Sequence, residues 1–249
     1  VDINYTRSYG DLTVTVGDSL DASAQFVGAC AYSGFTDQLS DCGTGSTAGL
    51  GGDVTLSSSY DLGNGFVAGF GLTGLQGSAT QGLFTKESID AYALQLAYTA
   101  DSYGLAVSYS DIDSQAGGIP FIGYAEDVTL WGFNGYYTPS SEGIPSISVG
   151  FEIGDAEIPS LTPTDTDTSS WFVGLQWDEV GPGTAGVAVG TKQHTVDNST
   201  LDDELLMYEA FYSYNVNDGM TITPLIYIKE FAPGTTDETG LMVKTSFSF

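Results

Sequence analysis

The chain closes on Leu241-Met-Val-Lys-Thr-Ser-Phe-Ser-Phe249, and its side chains sort into two kinds by alternate position. Leu241, Val243, Thr245, Phe247 and Phe249 share one phase; Met242, Lys244, Ser246 and Ser248 share the other. An extended strand turns successive side chains to opposite faces, so this segment has one mainly apolar face and one mainly polar face. Working back from that end, the same repeat returns along most of the chain. Residues 145–154 set Ile147, Val149, Phe151 and Ile153 against Ser148, Gly150, Glu152 and Gly154; residues 169–178 set Trp171, Val173, Leu175 and Trp177 against Gly174, Gln176 and Asp178.

Thirteen strands are predicted in this way, at 2–9, 11–17, 50–60, 66–75, 88–99, 103–112, 126–138, 145–154, 169–178, 185–194, 204–216, 219–230 and 239–249. Short turns at Gly10, Asn64-Gly65, Asp101, 139–143, 180–184 and 217–219 alternate with long, acidic connections. The longest, residues 18–49, loses the alternation and is rich in Gly, Ser and Asp, far beyond an ordinary connection. Residues 126–138 slip phase around Trp131 to Phe133, which predicts a bulge, and Pro224 lacks the amide proton a central ladder needs.

A soluble sandwich also alternates, but its apolar face fills a core with branched aliphatics. Here aromatic residues bracket the apolar runs, as in Tyr92 to Tyr98 and Trp171 to Trp177, and small residues fill the opposite phase. Aromatics at both borders of an apolar band suit two membrane interfaces, and small polar residues suit a water-filled lumen. The reading is an all-β transmembrane antiparallel barrel with short periplasmic turns and long external loops. In an up-and-down meander an odd number of strands makes the first and last run the same way. Thirteen strands therefore cannot close antiparallel, and either the first is miscounted or an odd number of N-terminal strands lies outside this sequence.

Composition narrows the function. Of 249 residues, 32 are acidic and 5 basic, a formal net charge of −27, with 33 glycines, 15 tyrosines and 13 phenylalanines. Few basic residues argue against nucleic acid, whose phosphates are bound by Lys and Arg. Cations are the natural counter-charge, although a salt-adapted surface has the same composition. No apolar run is long enough for a transmembrane helix. Nothing linker-like divides residues 1–249, so they are read as one domain. Cys30 and Cys42 are the only cysteines; an even pair suggests a disulfide worth about 3 kcal/mol, with two free thiols as the alternative.

The ending Gly240-Leu-Met-Val-Lys-Thr-Ser-Phe-Ser-Phe249, the hairpin Tyr214-Asn-Val-Asn-Asp-Gly-Met-Thr-Ile-Thr-Pro224 and the segment Gly10-Asp-Leu-Thr-Val-Thr-Val-Gly17 resemble outer-membrane porins of cyanobacteria, a group related to carbohydrate-selective porins. That resemblance implies a complete barrel of about sixteen strands, usually trimeric, in the outer membrane. It also implies a long loop folded into the lumen as a constriction, and a cell-wall-binding N-terminal region that this sequence lacks. If residues 18–49 are that loop, it should follow the fifth strand; only two precede it here, which leaves three to be supplied.

Strand phase also orders the charged residues. Lys192, Lys229 and Lys244 fall on polar phases of neighbouring strands, with Arg7 joining them if the wall closes nearby. Asp18, Asp21, Asp37 and Asp41 of the long loop are expected to face them across the lumen, where opposed charge rows set ion preference. The alternative is local pairing of the lysines with Glu152 and Glu209. The acidic loops are candidates for weak Ca²⁺ or Mg²⁺ binding or for bridging to lipopolysaccharide; no dedicated metal motif and no cofactor is expected. The single His194 shares a phase with Gly190 and Lys192 and is read as facing inward, away from any lipid-side serine, so no catalytic site is expected. The function expected is a passive diffusion porin for small hydrophilic solutes, against a plugged structural or adhesive barrel and a soluble carbohydrate-binding sandwich.

Overall fold

The computed structural model describes residues 3–36, 39, 41–48, 51–52, 54–75, 82, 85, 89–113, 127–158, 164–196, 204–231 and 236–248. In chain order the elements are β1 (Asn4–Tyr9), β2 (Leu12–Gly17), β3 (Leu20–Asp21), α1 (Gly45–Ala48), β4 (Gly51–Gly52), β5 (Val54–Gly63), β6 (Phe66–Leu75), β7 (Ile89–Thr99) and β8 (Tyr103–Asp113). They continue with β9 (Asp127–Tyr137), β10 (Ser146–Glu157), β11 (Asp165–Val180), β12 (Gly183–Thr191), β13 (His194–Thr195), β14 (Leu206–Asn217), β15 (Met220–Lys229) and β16 (Glu238–Phe247).

All thirteen expected strands are present, the first included, and each pairs antiparallel with the next in one continuous sheet, β1-β2-β5-β6-β7-β8-β9-β10-β11-β12-β14-β15-β16. The short β13 pairs with β11, and β3 with β4. This is one sheet of a barrel wall, not two sheets packed face to face. Among the described residues no pairing joins β1 to β16, which run in the same direction.

The two faces of the wall differ in chemistry. In β10 the burial alternates so that Ile147, Val149, Phe151 and Ile153 are exposed while Ser146, Ser148 and Glu152 are buried. Leu94, Leu96, Leu105, Val107, Phe133, Val173 and Val187 share the exposed face on neighbouring strands. A large apolar surface of this kind, on a sheet whose other face is polar and covered, suits contact with lipid.

Aromatic rings border that band at two levels. Near the short turns, Phe66 and Tyr98 stand 4.7 Å apart and Tyr98 and Tyr103 5.8 Å. Near the long loops, Tyr92 and Tyr109 are 6.2 Å apart and Tyr109 and Trp131 4.9 Å.

The structure departs from the sequence reading in local ways. β9 keeps an unbroken register with both neighbours through Trp131 to Phe133, so the expected bulge is absent. The phase only looked slipped because Val128 and Leu130 are inward and apolar, packing with Ala22, Ile112, Ala156 and Ile158. Register shifts occur instead at the short-turn ends, at Asp61/Gly63, Trp177/Val180 and Asn215/Asn217. Pro224 sits on the exposed face, and the β14–β15 ladder passes from Phe211–Leu225 to Tyr214–Ile222 across it. β11 is longer than expected at both ends, and β12 stops at Thr191.

Candidate pore constriction

After β2 the chain leaves the wall and crosses its polar inner face before returning at β5. An irregular segment has unpaired backbone groups, and the wall supplies partners for them. The Gln25 amide donates to Ser57 Oγ (3.0 Å), Val27 N–H to Gln95 Oε1 (2.7 Å), and the amides of Ala31 and Tyr32 to Ser148 Oγ (2.9 and 3.1 Å). Ser33 donates to Gln176 Oε1 from its amide (2.9 Å) and its hydroxyl (2.7 Å). In return Ser57 donates to the Ala22 carbonyl (2.6 Å) and Ser170 to that of Gly43 (3.3 Å). The loop thus touches β5, β7, β10 and β11 in turn, following the curve of the wall.

Cys30 and Cys42 form a disulfide with Cα atoms 6.0 Å apart. The ring it closes carries Tyr32 and Leu39 against inward Phe172 and Phe211, with the Tyr32 ring 5.5 Å from each aromatic. Small wall residues make the close seating possible. A Cβ at Gly150 would stand 1.5 Å from the Cys42 carbonyl oxygen, and one at Gly71 2.1 Å from that of Ala22.

Two carboxylates anchor the ring and the following turn. Glu152 is 0 % exposed and accepts hydrogen bonds from the Thr47 amide (2.6 Å) and hydroxyl. Glu209 is 4 % exposed and accepts the Thr36 hydroxyl, while its Oε1 lies against Gly34. Burial and then the charge of Glu209 push the Tyr32 phenol far up, so it stays a neutral hydroxyl. Among the described residues, these threonine contacts are what the structure shows for Glu152 and Glu209.

The lysines lie on the inner side of the β12–β16 sector. Lys244 is opposite Thr223, with its Nζ 5.5 Å from the Phe35 ring of the loop. Lys229 is opposite Glu238 and 5.3 Å from the Tyr227 ring, whose hydroxyl donates to Glu238 (2.7 Å). Lys192 follows β12; burial first, then the charge of Lys229, pushes its ammonium down, and Glu238 opposes this.

Arg7 stands elsewhere. It shares the face of Val14 and lies 5.0 Å from the Tyr9 ring, while Thr6 and Ser8 take the inner phase, bonding to Thr15 and Thr13. Closure near the lysines does not bring it into the lumen, because the period of β1 turns it outward. Asp18 is exposed at the end of β2, Asp21 is exposed on β3 opposite Gly51, and Asp41 is exposed, its carbonyl accepting from Thr44. Asp37 and Phe249 lie outside the described residues.

His194 also differs from expectation. It belongs to β13, opposite Ser169, whose phase on β11 is that of outward Trp171 and Val173. The break after Thr191 interrupts the phase that pointed it inward. Sequence reasoning passed over the wall residues that receive the loop, Gln95, Ser148, Gln176 and Phe172. Phe172 alone gave a signal, as a large aromatic in an otherwise small inward phase.

No protein-family model and no curated protein matches the sequence. Solved structures do match in fold. An anion-selective porin from Comamonas acidovorans aligns with a TM-score of 0.68 at 16% identity, over 98% of this chain and 76% of that one. Salmonella typhi OmpF, solved with daunomycin, aligns at 0.60 and 13% identity over 98% and 89%, and Pseudomonas putida OprB at 0.59 and 13% over 98% and 70%. The fold is that of outer-membrane porin barrels: an antiparallel transmembrane sheet with a loop laid along its inner face.

Proposed function

We propose that the protein is a passive diffusion channel of the outer membrane, admitting small hydrophilic solutes and ions with a preference for cations. The observation that carries this reading is the disulfide-closed loop fixed along the inner wall by side chains of β2, β5, β7, β9, β10, β11 and β14, which supports a lumen narrowed by the loop. The porin folds it resembles support the location and the channel role. The net charge of −27 supports the cation preference, with the lysine sector as a local counterweight that gives the lumen a transverse field.

A homotrimer, weak Ca²⁺ or Mg²⁺ at the acidic loops, bridging to lipopolysaccharide, a place among the cyanobacterial porins and attachment to the cell wall belong to the same proposal. β1 and β16 run in the same direction, so the two cannot pair antiparallel with each other. Planar-bilayer recording tests the channel. Stable conductance steps and a reversal potential of cation-selective sign in a KCl gradient are expected. A barrel plugged by its loop gives no steps, and that result ends the proposal.

A further inference from the structure

One polar cluster on the apolar, outward face plays no part in a pore. A single row of Cα partners runs Leu94, Tyr109, Trp131, Ile153, Ser169, His194 across β7, β8, β9, β10, β11 and β13. Tyr109 and Trp131 of this row belong to the aromatic border at the long-loop end, their rings 4.9 Å apart. Aromatic borders of a membrane barrel lie at headgroup level, the depth at which acyl chains are esterified to their headgroups.

Ser169 Oγ lies 3.4 Å from His194 Nε2, and His194 Nδ1 lies 3.0 Å from the Lys192 carbonyl oxygen. A carbonyl oxygen only accepts, so Nδ1 carries a ring proton, and it is the Nδ1–H tautomer of the imidazole that has its Nε2 lone pair directed at the serine hydroxyl. That is the tautomer a general base needs. Ser169 itself lines a groove of about 450 Å³, whose apolar lining is Trp131, Phe151, Ile153 and Val196 and whose polar lining includes Asp155 and Asp167.

We propose that Ser169 and His194 form an acyl-hydrolase pair on the lipid side of the wall, acting on ester-linked acyl chains of membrane lipids. Ser169 Oγ attacks the acyl carbonyl carbon as His194 Nε2 takes the hydroxyl proton. The tetrahedral intermediate collapses with cleavage of the ester C–O bond, and the imidazolium returns the proton to the departing alcohol. Water from the interface then adds to the acyl-serine, giving its proton to Nε2; the free fatty acid leaves and the proton returns to Oγ. The groove receives the acyl chain, which commits the substrate to a lipid over a water-soluble ester. A backbone carbonyl, not a carboxylate, orients the imidazole, so turnover is slow; Oγ and Nε2 shorten their contact once substrate is bound.

The test uses the folded protein in mixed micelles of detergent and a diacyl glycerophospholipid, with two readouts: fatty-acid release, and covalent labelling by a fluorophosphonate mapped by peptide mass spectrometry. Fatty-acid release and a label on Ser169 are expected. Ser169→Ala abolishes the label, and both Ser169→Ala and His194→Asn lower release by about a hundredfold or more. Trp131→Ala raises KM for long-chain lipid while Ser169 remains labelled. Because the pair lies outside the lumen, the serine and histidine variants keep the heat-modifiable migration of a folded barrel, which separates loss of chemistry from loss of fold. Absence of release and of labelling in the folded protein overturns the proposal, as does release that survives Ser169→Ala.

Discussion

At Gly150 a hydrogen stands where any other residue would place a carbon 1.5 Å from the Cys42 carbonyl oxygen. Gly150→Ala is expected to push that stretch of loop off the wall and into the lumen, lowering single-channel conductance while the barrel still migrates as a folded species. Glu152 works by accepting. Glu152→Ala leaves the Thr47 amide and hydroxyl buried without this acceptor, a loss of about 3 kcal/mol to be read from denaturant unfolding in detergent. The inward phase of Glu152 was legible in the sequence; its partner was not. A strand residue announces its face by its period, whereas a residue in an aperiodic loop announces nothing about where it will lie. For the same reason Ser148 and Gln176 looked like ordinary lumen residues although they receive the loop.

Among the elements, the strands were the legible part: every one of the thirteen lies where its alternation placed it, within a few residues at the ends. Errors arose where an element is interrupted. His194 was assigned a face by counting from Gly190, but β12 ends at Thr191 and the chain re-enters the sheet as β13 with a new phase. Val128 and Leu130 imitated a bulge because the inner face at that level is itself an apolar core under the loop. The loop behaves as an element in its own right, held by its disulfide and by side chains of the wall. Replacing Cys30 and Cys42 together by Ser removes about 3 kcal/mol of chain constraint from the ring. The barrel should persist, with open-channel noise and mean conductance both raised in bilayer recordings; an unchanged trace would show that the wall contacts alone hold the loop.

At the scale of the whole molecule, charge is distributed unevenly. Among the described basic residues, Lys192, Lys229 and Lys244 lie together in the β12–β16 sector and Arg7 faces outward on β1. Lys244 is the one that meets the loop, through Phe35. Lys244→Glu is expected to raise the cation-to-anion permeability ratio severalfold in a KCl gradient, and the effect should shrink at high ionic strength as the lumen field is screened. If the ratio is unaffected, that lysine lies off the ion path.

The wall beneath the loop is a track of missing side chains: Gly71 accommodates Ala22, Gly150 accommodates Cys42, and Gly174 and Gly186 make room for the Phe172 and Phe211 rings and for Tyr32 packed between them. Wall and loop are therefore one mould and its cast, and neither can be altered alone. In a lineage of such barrels, a bulkier residue on the track should arrive only alongside a smaller one in the loop. Aperture would then change by paired exchange, and covariation between residues 22–47 and the inward phase of β6, β10, β11 and β12 would be the record of that history.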